Sequence, residues 1–445
     1  MAPLSGFPEL LPGQKMVEAQ IVDGLRRTFE LHGFAPIETR AVEPIERLTG
    51  GAEIDKEIYA VRRLADDEGS EPALGLHFDL TVPFARYVLE NAGKVEFPFR
   101  RYQIQKVWRG ERPQSGRYRE FTQADIDIVA KDALAFHHDV EVARVMAEAL
   151  AGLPVGPFHL QINNRKLLQG FLLGIGAPSP PAAMRAIDKL DKLPPEVVGD
   201  MLTAAGLTLA GADAFLQLAT IESRDDGFIT QVRDLGVTHE LLDEGLAELV
   251  AVLGGCRNLN SDRITVEVAL RIARGLDYYT GTVFETRLAG YEALGSICSG
   301  GRYDLLASDG RTTYPGVGIS LGLSRLLVPL FADGTLTASR SVPSTVLVAL
   351  TDDDSRDVST SVAQALRDRG IATEVAPSAD KYGKQIRFAQ RRGIPYVWFP
   401  ADGADAGHQV KDIRSGDQVP ADADTWLPPA VDLSPEVVTI PKTAE

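Results

Sequence analysis

An α/β protein in several domains is what this sequence predicts: an α+β domain with a central antiparallel sheet flanked by helices, a helical insertion within it, and a C-terminal α/β domain. Three observations lead there. Strand-like runs recur at FPFRRYQIQKVW, FTQADIDIV, ITVEVALRI and GTVFETRL, and together they imply one large sheet. Residues 175–260 carry short helical patterns, Pro-rich punctuation at PSPP and LPP, and no strand signal. Beyond Ser344 strands alternate with helices, as in a compact unit with a largely parallel sheet.

The expected order of elements begins with an amphipathic helix from Met16 to Leu31, in which Val17, Ile21, Leu25 and Phe29 share a face and Gly33 ends the run. A strand, FAPIETRAV, follows. ALGLHFDLTVPFARYVLE (73–90) reads as a strand entering a helix, with Thr81 or its neighbour as N-cap and Pro83 in the first turn. Residues 97–109 and 119–129 form two strands joined by the polar loop RGERPQSGRY, and a helix is expected over 132–150. After the insertion, strands return at 263–286, and GRTTYPGVGISLGLSRLLVPLF supplies a turn, a short strand and a helix. The predicted boundaries are therefore 1–174 with 261–332 for the first domain, 175–260 for the insertion, 333–343 for a linker and 344–445 for the last domain. Within that last domain STVLVAL, IATEVAP and IPYVWFP are strands, 355–369 and 380–392 are helices, and the final twenty or so residues look irregular.

At 445 residues and 44% hydrophobic composition the chain can bury substantial cores. Cys256 and Cys298 form neither a disulfide framework nor a CxxC pair, which fits a reducing compartment. The opening MAPLSGFPELLPGQK lacks a basic region followed by an apolar core, and no run of eighteen apolar residues occurs, so a cytoplasmic protein without membrane contact is expected. A net charge of −16 argues against nucleic acid only globally, because phosphates respond to the field within about 8 Å.

Local charge is more informative. Between 97 and 129, Arg100, Arg101, Lys106, Arg109, Arg112, Arg117 and Arg119 meet Glu111, Glu120, Asp125 and Asp127. A solvated hairpin with weak surface ion pairs would account for many such clusters. The alternation in FTQADIDIV argues otherwise: Gln123, Asp125 and Asp127 share one face, Ala124, Ile126 and Ile128 the other, and a polar row on a central strand needs a ligand or partner. Arg109 opens the loop, where a guanidinium can fork onto phosphate. A second anomaly is ARGLDYYTGTVFET (273–286), where Arg274, Asp277, Tyr278 and Tyr279 stand among strand residues.

These stretches together resemble a known family. WRGERPQSGRYREFTQADIDI resembles the second signature of class II aminoacyl-tRNA synthetases in its histidyl-tRNA synthetase form; RGLDYYTGTVFE resembles that family's histidine-binding signature, CSGGRYDLL the block after it, and GVGISLGLSRL the third class II signature. The resemblance spans nearly the whole chain. It implies a catalytic domain, an anticodon-binding C-terminal domain, and ATP-dependent activation of L-histidine followed by transfer to tRNA(His), with ATP bringing its own Mg2+ and no protein-liganded metal. A homodimer is implied as well.

By that resemblance Asp127 and Tyr279 hold the two ends of the imidazole, which in its neutral form offers one donor and one acceptor. Tyr278 either binds histidine as well or only packs, since neighbours on a strand face opposite ways. Asp79, Thr81 and Gln123 hold the α-ammonium. Arg109 takes the α-phosphate and Arg274 bridges it to the substrate carboxylate; Arg117 and Arg325 meet the nucleotide, Arg325 at its terminal phosphate, and Phe121 stacks the adenine. In KYGKQIRFAQRR (381–392), Lys384, Arg387 and Arg391 share a helical face; alone this is a solvated face, and on an anticodon-binding module it becomes an RNA contact.

Other features weigh less. GVGISLG has the spacing G-x-G-x-x-x-G rather than a dinucleotide loop, and GxxxxGK[ST] is absent. His137 and His138 suit a solvated helix boundary, while His77 either lines the site or is structural. Four positions depart from the commonest family pattern: Ser324 where an acidic residue often stands, Asp79 and Asp127 where glutamate is common, and Arg40 where the first signature has proline. The rivals are a non-catalytic histidine-sensing regulatory subunit of ATP phosphoribosyltransferase, which usually lacks the C-terminal domain, and a synthetase for another amino acid.

Overall fold

Helix formation starts where apolar spacing dictates. In the computed structural model, which describes residues 4–49, 54–66, 71–273, 279–401 and 407–440, helix α1 (Pro12–Leu31) buries Leu25 and Phe29 completely. Tyr102 packs its ring 5.8 Å from that of Phe29 and donates its hydroxyl to Glu30 Oε1 at 2.7 Å, so this end of α1 lies along a sheet strand. FAPIETRAV, expected as one strand, splits into β1 (Ala35–Pro36) and β2 (Val42–Pro44), which enter different sheets. Pro36 has no N–H to continue a ladder. Helix α2 (Ile45–Leu48) follows, and β3 (Ala60–Val61) and β4 (Leu74–Leu76) complete a small three-stranded sheet with β2.

Helix α3 (Thr81–Asn91) begins at Thr81, but Thr81 does not cap it: Asp79 Oδ1 accepts from the Val82 N–H at 3.0 Å. Strands β5 (Phe99–Trp108) and β6 (Glu120–Val129) pair antiparallel along their whole lengths. Helix α4 (His137–Ala151) starts five residues later than its apolar pattern suggests, because Asp132 adopts φ 64, a left-handed conformation a right-handed helix cannot pass through.

The chain then lays down β7 (Phe158–Asn164) and the helices α5 (Arg165–Gly174), α6 (Pro180–Ile187), α7 (Pro195–Ala204), α8 (Leu209–Ala219), α9 (Gly227–Asp234) and α10 (Glu240–Cys256). The stretch expected to be purely helical also contributes β8 (Glu222–Ser223), too short to carry an alternation signal. Helices α5 and α10 cross with backbones nearly touching: a Cβ on Gly170 would lie 2.2 Å from Leu242 N, and one on Gly245 2.3 Å from Leu167 N. Strands β9 (Ile264–Ala269), β10 (Thr282–Leu288), β11 (Cys298–Tyr303) and β12 (Gly316–Gly322) lead into helix α11 (Leu323–Ala332).

The resulting nine-stranded sheet has the order β1-β5-β6-β12-β11-β10-β7-β9-β8. Its pairs are antiparallel except β1 with β5 and β7 with β9. A parallel pair needs a crossover, and between β7 and β9 the helices α5 to α10 supply it. One face is apolar and is covered by α4 and α10 through Val142, Met146, Leu249 and Leu253. The other face carries a polar row in register across seven strands: Gln103, Asp125, Ser320, Ser299, Glu285, Gln161 and Glu267.

By contacts the chain divides into two compact units, Met1–Pro8 with Val22–Pro329, and Glu9–Ile21 with Leu330–Glu445. In the second, β13 (Leu336–Ala338) precedes β14 (Val346–Val348), α12 (Arg356–Asp368), β15 (Thr373–Val375), α13 (Tyr382–Arg392), β16 (Tyr396–Phe399), β17 (Gln409–Asp412) and β18 (Gln418–Pro420). The order is β15-β14-β16-β17-β18, parallel over the first three strands and antiparallel beyond. The stretch expected as linker and the end expected as irregular meet instead, β13 pairing antiparallel with β19 (Val437–Thr439). Asp432 secures this return: it accepts from Tyr396 Oη at 2.7 Å and Arg414 Nη1 at 2.6 Å.

Candidate active site

The polar face becomes a site where β5, β6 and β12 run side by side. Strand alternation puts Arg101, Gln103 and Gln105 opposite Asp127, Asp125 and Gln123, and these opposite Gly318, Ser320 and Gly322. Arg101 has no exposed surface. Its Nη2 lies 2.6 Å from Asp127 Oδ2, and its guanidinium carbon sits 4.3 Å from the centroid of the Phe84 ring. The other Asp127 oxygen, Oδ1, accepts from Tyr303 Oη at 2.6 Å. Burial pushes Asp127 up to about 6 against the pull of Arg101, and pushes Asp125 up to about 7. Asp79 is raised by burial too, with the Val82 N–H and Arg109 opposing the shift.

Two glycines make the room. A Cβ on Gly318 would lie 2.1 Å from Asp127 Oδ1, and one on Gly301 would lie 2.9 Å from the Tyr279 ring. Gly301 and Gly318 are partners in the β11–β12 ladder, so they face the same side. The Asp127 carboxylate and the Tyr279 ring therefore cover adjacent positions of one surface. Tyr279 packs against the cluster of Phe84, Val88 and Tyr303, and its carbonyl accepts from Arg165 Nη1 at 2.7 Å. Arg274 and Tyr278 lie outside the described residues.

Asp79, two residues before α3, is close enough for its charge to act on Asp125 and Asp127, and Thr81 is the first residue of that helix. Arg109 donates from Nε to the Phe78 carbonyl at 3.0 Å, and its charge acts on Asp79. His77 is structural: fully buried, it donates from Nε2 to the Lys106 carbonyl at 2.7 Å and stacks on Trp108. Burial lowers its pKa, which keeps the ring neutral.

Next to the carboxylates opens a cleft lined by Arg109, Arg117, Phe121, Gln123, Ser299 and Arg325. It continues toward Tyr279 and Glu285 as a hollow of about 370 Å³, in the size range of small-molecule sites. The Arg109 guanidinium is 5.0 Å from the centroid of Phe121. Arg117 donates from Nη1 to Glu111 Oε2 at 3.2 Å, and Arg325 from Nε to the Leu294 carbonyl at 3.1 Å. Ser324 accepts from the Thr122 N–H at 2.9 Å, so a hydroxyl holds the backbone between Phe121 and Gln123. Arg40 makes a two-pronged contact with Glu43, which is buried and also bound by Arg86.

One end of the cleft is thus cationic and flat-walled, suited to a polyphosphate with an aromatic base, and the other is a ring-sized surface edged by buried carboxylates, suited to a small cation-bearing ligand. Sequence reasoning missed three contributors. Arg101 is visible only as one more cation until β5 is registered on β6; Tyr303 lies in the quoted CSGGRYDLL without a role; Ser320 sits inside GVGISLGLSRL, matched as a signature with no role given to the serine. In the second unit, Arg387 and Arg391 are exposed on α13, while Lys384 is ion-paired to Asp380 at 2.7 Å. His137, His138 and Glu141 bring potential ligand atoms within 4.8 Å of one another, a closer grouping than a solvated boundary implies. Both oxygens of Glu141 already accept from Arg100, at 3.1 Å each, which makes this an ion-pair network.

Comparison with known proteins points the same way. A family model described as histidyl-tRNA synthetase matches residues 6–326, and one described as an anticodon binding domain matches 345–419. The histidine–tRNA ligase of Cutibacterium acnes is 57% identical over 453 residues, covering 98% of this chain and 99% of that one. Among solved structures, the histidyl-tRNA synthetase of Nostoc sp. PCC 7120 superposes with a TM-score of 0.84 at 35% identity, covering 95% of this chain and 97% of that chain. A Bacillus halodurans protein titled as an ATP phosphoribosyltransferase regulatory subunit/histidyl-tRNA synthetase has a TM-score of 0.73 at 19% identity, covering 91% and 99%; this likeness shows the fold alone.

Proposed function

The chain belongs to the histidyl-tRNA synthetase family, and from that premise we propose how its cleft carries out the reaction. The activity is ATP-dependent activation of L-histidine to histidyl-adenylate and transfer of the histidyl group to the 3′ end of tRNA(His).

The imidazole is assigned to the surface over Gly301 and Gly318, between Tyr279 and Asp127. The single observation that carries this reading is the Asp127 carboxylate, fixed by Arg101 on one oxygen and Tyr303 on the other beside a glycine that leaves it room. An ionised carboxylate so oriented accepts an imidazole N–H, and the Tyr279 hydroxyl serves the far end of the ring. A site built from buried hydrogen-bonding groups rejects analogues that lack them by about 10⁴-fold. Asp79, Thr81 and Gln123 are assigned to the α-ammonium; the Oε1 of Gln123, which has no hydrogen-bond partner among the described residues, supports this.

In the chemical step a carboxylate oxygen of histidine attacks the α-phosphorus of ATP, a new P–O bond forms, and the bond to pyrophosphate breaks with its electron pair leaving on pyrophosphate. Negative charge grows on the equatorial oxygens, and preorganised guanidinium groups stabilise it. Arg109 is assigned to the α-phosphate, Arg117 and Arg325 to the outer phosphates, and Phe121 to the adenine face. Their shared lining of one cleft supports the set. Arg274 is assigned, from the family resemblance alone, to the bridge between α-phosphate and carboxylate. ATP enters as its magnesium complex.

Lys384, Arg387 and Arg391 are assigned to tRNA backbone contact, and a cytoplasmic homodimer is the proposed working form; among the described helices none is long and apolar enough to cross a membrane. A regulatory subunit would have no need of the cations that line this cleft. Histidine-dependent ATP–pyrophosphate exchange tests the proposal: we expect it in the wild type, with a loss of about a hundredfold or more in Arg109→Ala. Folded protein without exchange would favour the regulatory reading.

A further inference from the structure

The segment that carries Tyr279 joins β9 to β10, the two neighbours of β7 in the sheet, so its described ends lie on either side of the β7 C-terminus. Side chains from that terminus hold both ends. Asn163, fully buried, donates from Nδ2 to the carbonyls of Leu270 at 3.1 Å and Ile272 at 2.8 Å, and its Oδ1 accepts from the Asn164 N–H at 2.7 Å, which fixes which way the amide points. Arg165 takes the outgoing end. Its backbone N–H donates to the Gly281 carbonyl at 2.8 Å, and its Nη1 donates to the Tyr279 carbonyl at 2.7 Å. Asn164, between them, turns to the opposite face and donates to Glu248 of α10 at 2.7 Å.

Two residues thus bind four carbonyls of one connection, two before residue 274 and two after residue 278. A surface connection can leave its carbonyls to water, whereas a charged donor and a buried amide bonded to them impose one backbone course. Tyr279 is where that course matters most. Its ring lies over Gly301, with no room for a Cβ there, and packs against Ala269, Ile272 and Val283. The phenol hydroxyl sits at the far end of a long side chain, so its place relative to Asp127 follows the backbone of residue 279, and a misplacement of about 1 Å can cost about a hundredfold.

We propose that Arg165 is a positioning residue for the histidine ring: while Asn163 anchors the incoming end of the segment, the Arg165 guanidinium fixes the Tyr279 backbone so that the hydroxyl is set for the imidazole before a ligand binds. The inference rests on the assignment of Tyr279 to that ring.

The test is a double-mutant cycle read by equilibrium binding of L-histidinol, which keeps the imidazole and ammonium of histidine and lacks the carboxylate assigned to Arg274. Full-length wild type, Arg165→Ala, Tyr279→Phe and the double variant are titrated, with ATP binding as the control. Each single variant should weaken histidinol by about tenfold and leave ATP within about twofold. In the Tyr279→Phe background, Arg165→Ala should add no more than about a further twofold, because its effect passes through the missing hydroxyl. Undiminished histidinol binding in Arg165→Ala, an equal loss in both backgrounds, or a matching loss of ATP overturns the proposal and leaves Arg165 a structural support. Arg165→Gln is read by the same criteria if Arg165→Ala fails to fold. Undiminished histidinol binding by Tyr279→Phe removes the assignment of Tyr279 itself, and the proposal with it.

Discussion

An arginine with no exposed surface must be matched by carboxylates, and Arg101 is matched by Asp127, with Asp125 and Asp79 close enough to feel its charge. The arrangement holds Asp127 in one orientation, and Tyr303 completes it. Tyr303→Phe removes one hydrogen bond to a charged group, so the histidine KM in pyrophosphate exchange should rise by about tenfold or more while the KM for ATP holds. Asp125 has a stability signature. Burial moves it from an ordinary 3.8 up to about 7, so between those values the empty folded protein holds a proton that the unfolded chain has released. A group raised in this way makes folding stability fall as pH rises through the window. Asp125→Asn escapes that loss, so its melting temperature relative to wild type should climb between about pH 5 and about pH 7 and level off above, as thermal melts of ligand-free protein would show. At this scale the sequence was half legible. FTQADIDIV announced its polar face by alternation, but Arg101 and Tyr303 act on Asp127 through cross-strand and through-space contacts that only the register of β5, β6, β12 and β11 creates.

Elements were legible in proportion to the length of their pattern. The β5–β6 hairpin, α1 and the C-terminal alternation of strands and helices follow from long periodic runs, whereas β7 went unread because FHLQINN mixes amides into its alternation, and β8 spans two residues. The late start of α4 depends on one left-handed residue, Asp132. Helix α13 shows how an element can be read correctly while one residue on it changes meaning. Its basic face is present, but Lys384 already has Asp380 as partner, so Arg387 and Arg391 should carry most of any contact with phosphate. Neutralising Lys384, Arg387 and Arg391 together should lower aminoacylation of tRNA and steepen no other defect: pyrophosphate exchange should keep its wild-type rate. Equal loss in both assays would make the helix a structural support only.

The whole molecule consists of two compact units, one holding the nine-stranded sheet with its cleft and the other holding the mixed five-stranded sheet with α13. The polar row of the large sheet was not visible as a unit in the sequence, since its members lie on strands scattered from residue 99 to residue 322 and are assembled by the order β5-β6-β12-β11-β10-β7-β9. The account's central claim is that this face holds histidine and nucleotide in one continuous site. A crystal structure of the full chain with a non-hydrolysable histidyl-adenylate analogue tests it most directly. The imidazole should lie between Tyr279 and Asp127 over Gly301 and Gly318, with the ammonium about 3 Å from Gln123 Oε1 and the phosphate mimic against Arg109. An imidazole bound away from Asp127, or an adenosine moiety outside the wall of Phe121 and Arg325, would contradict it.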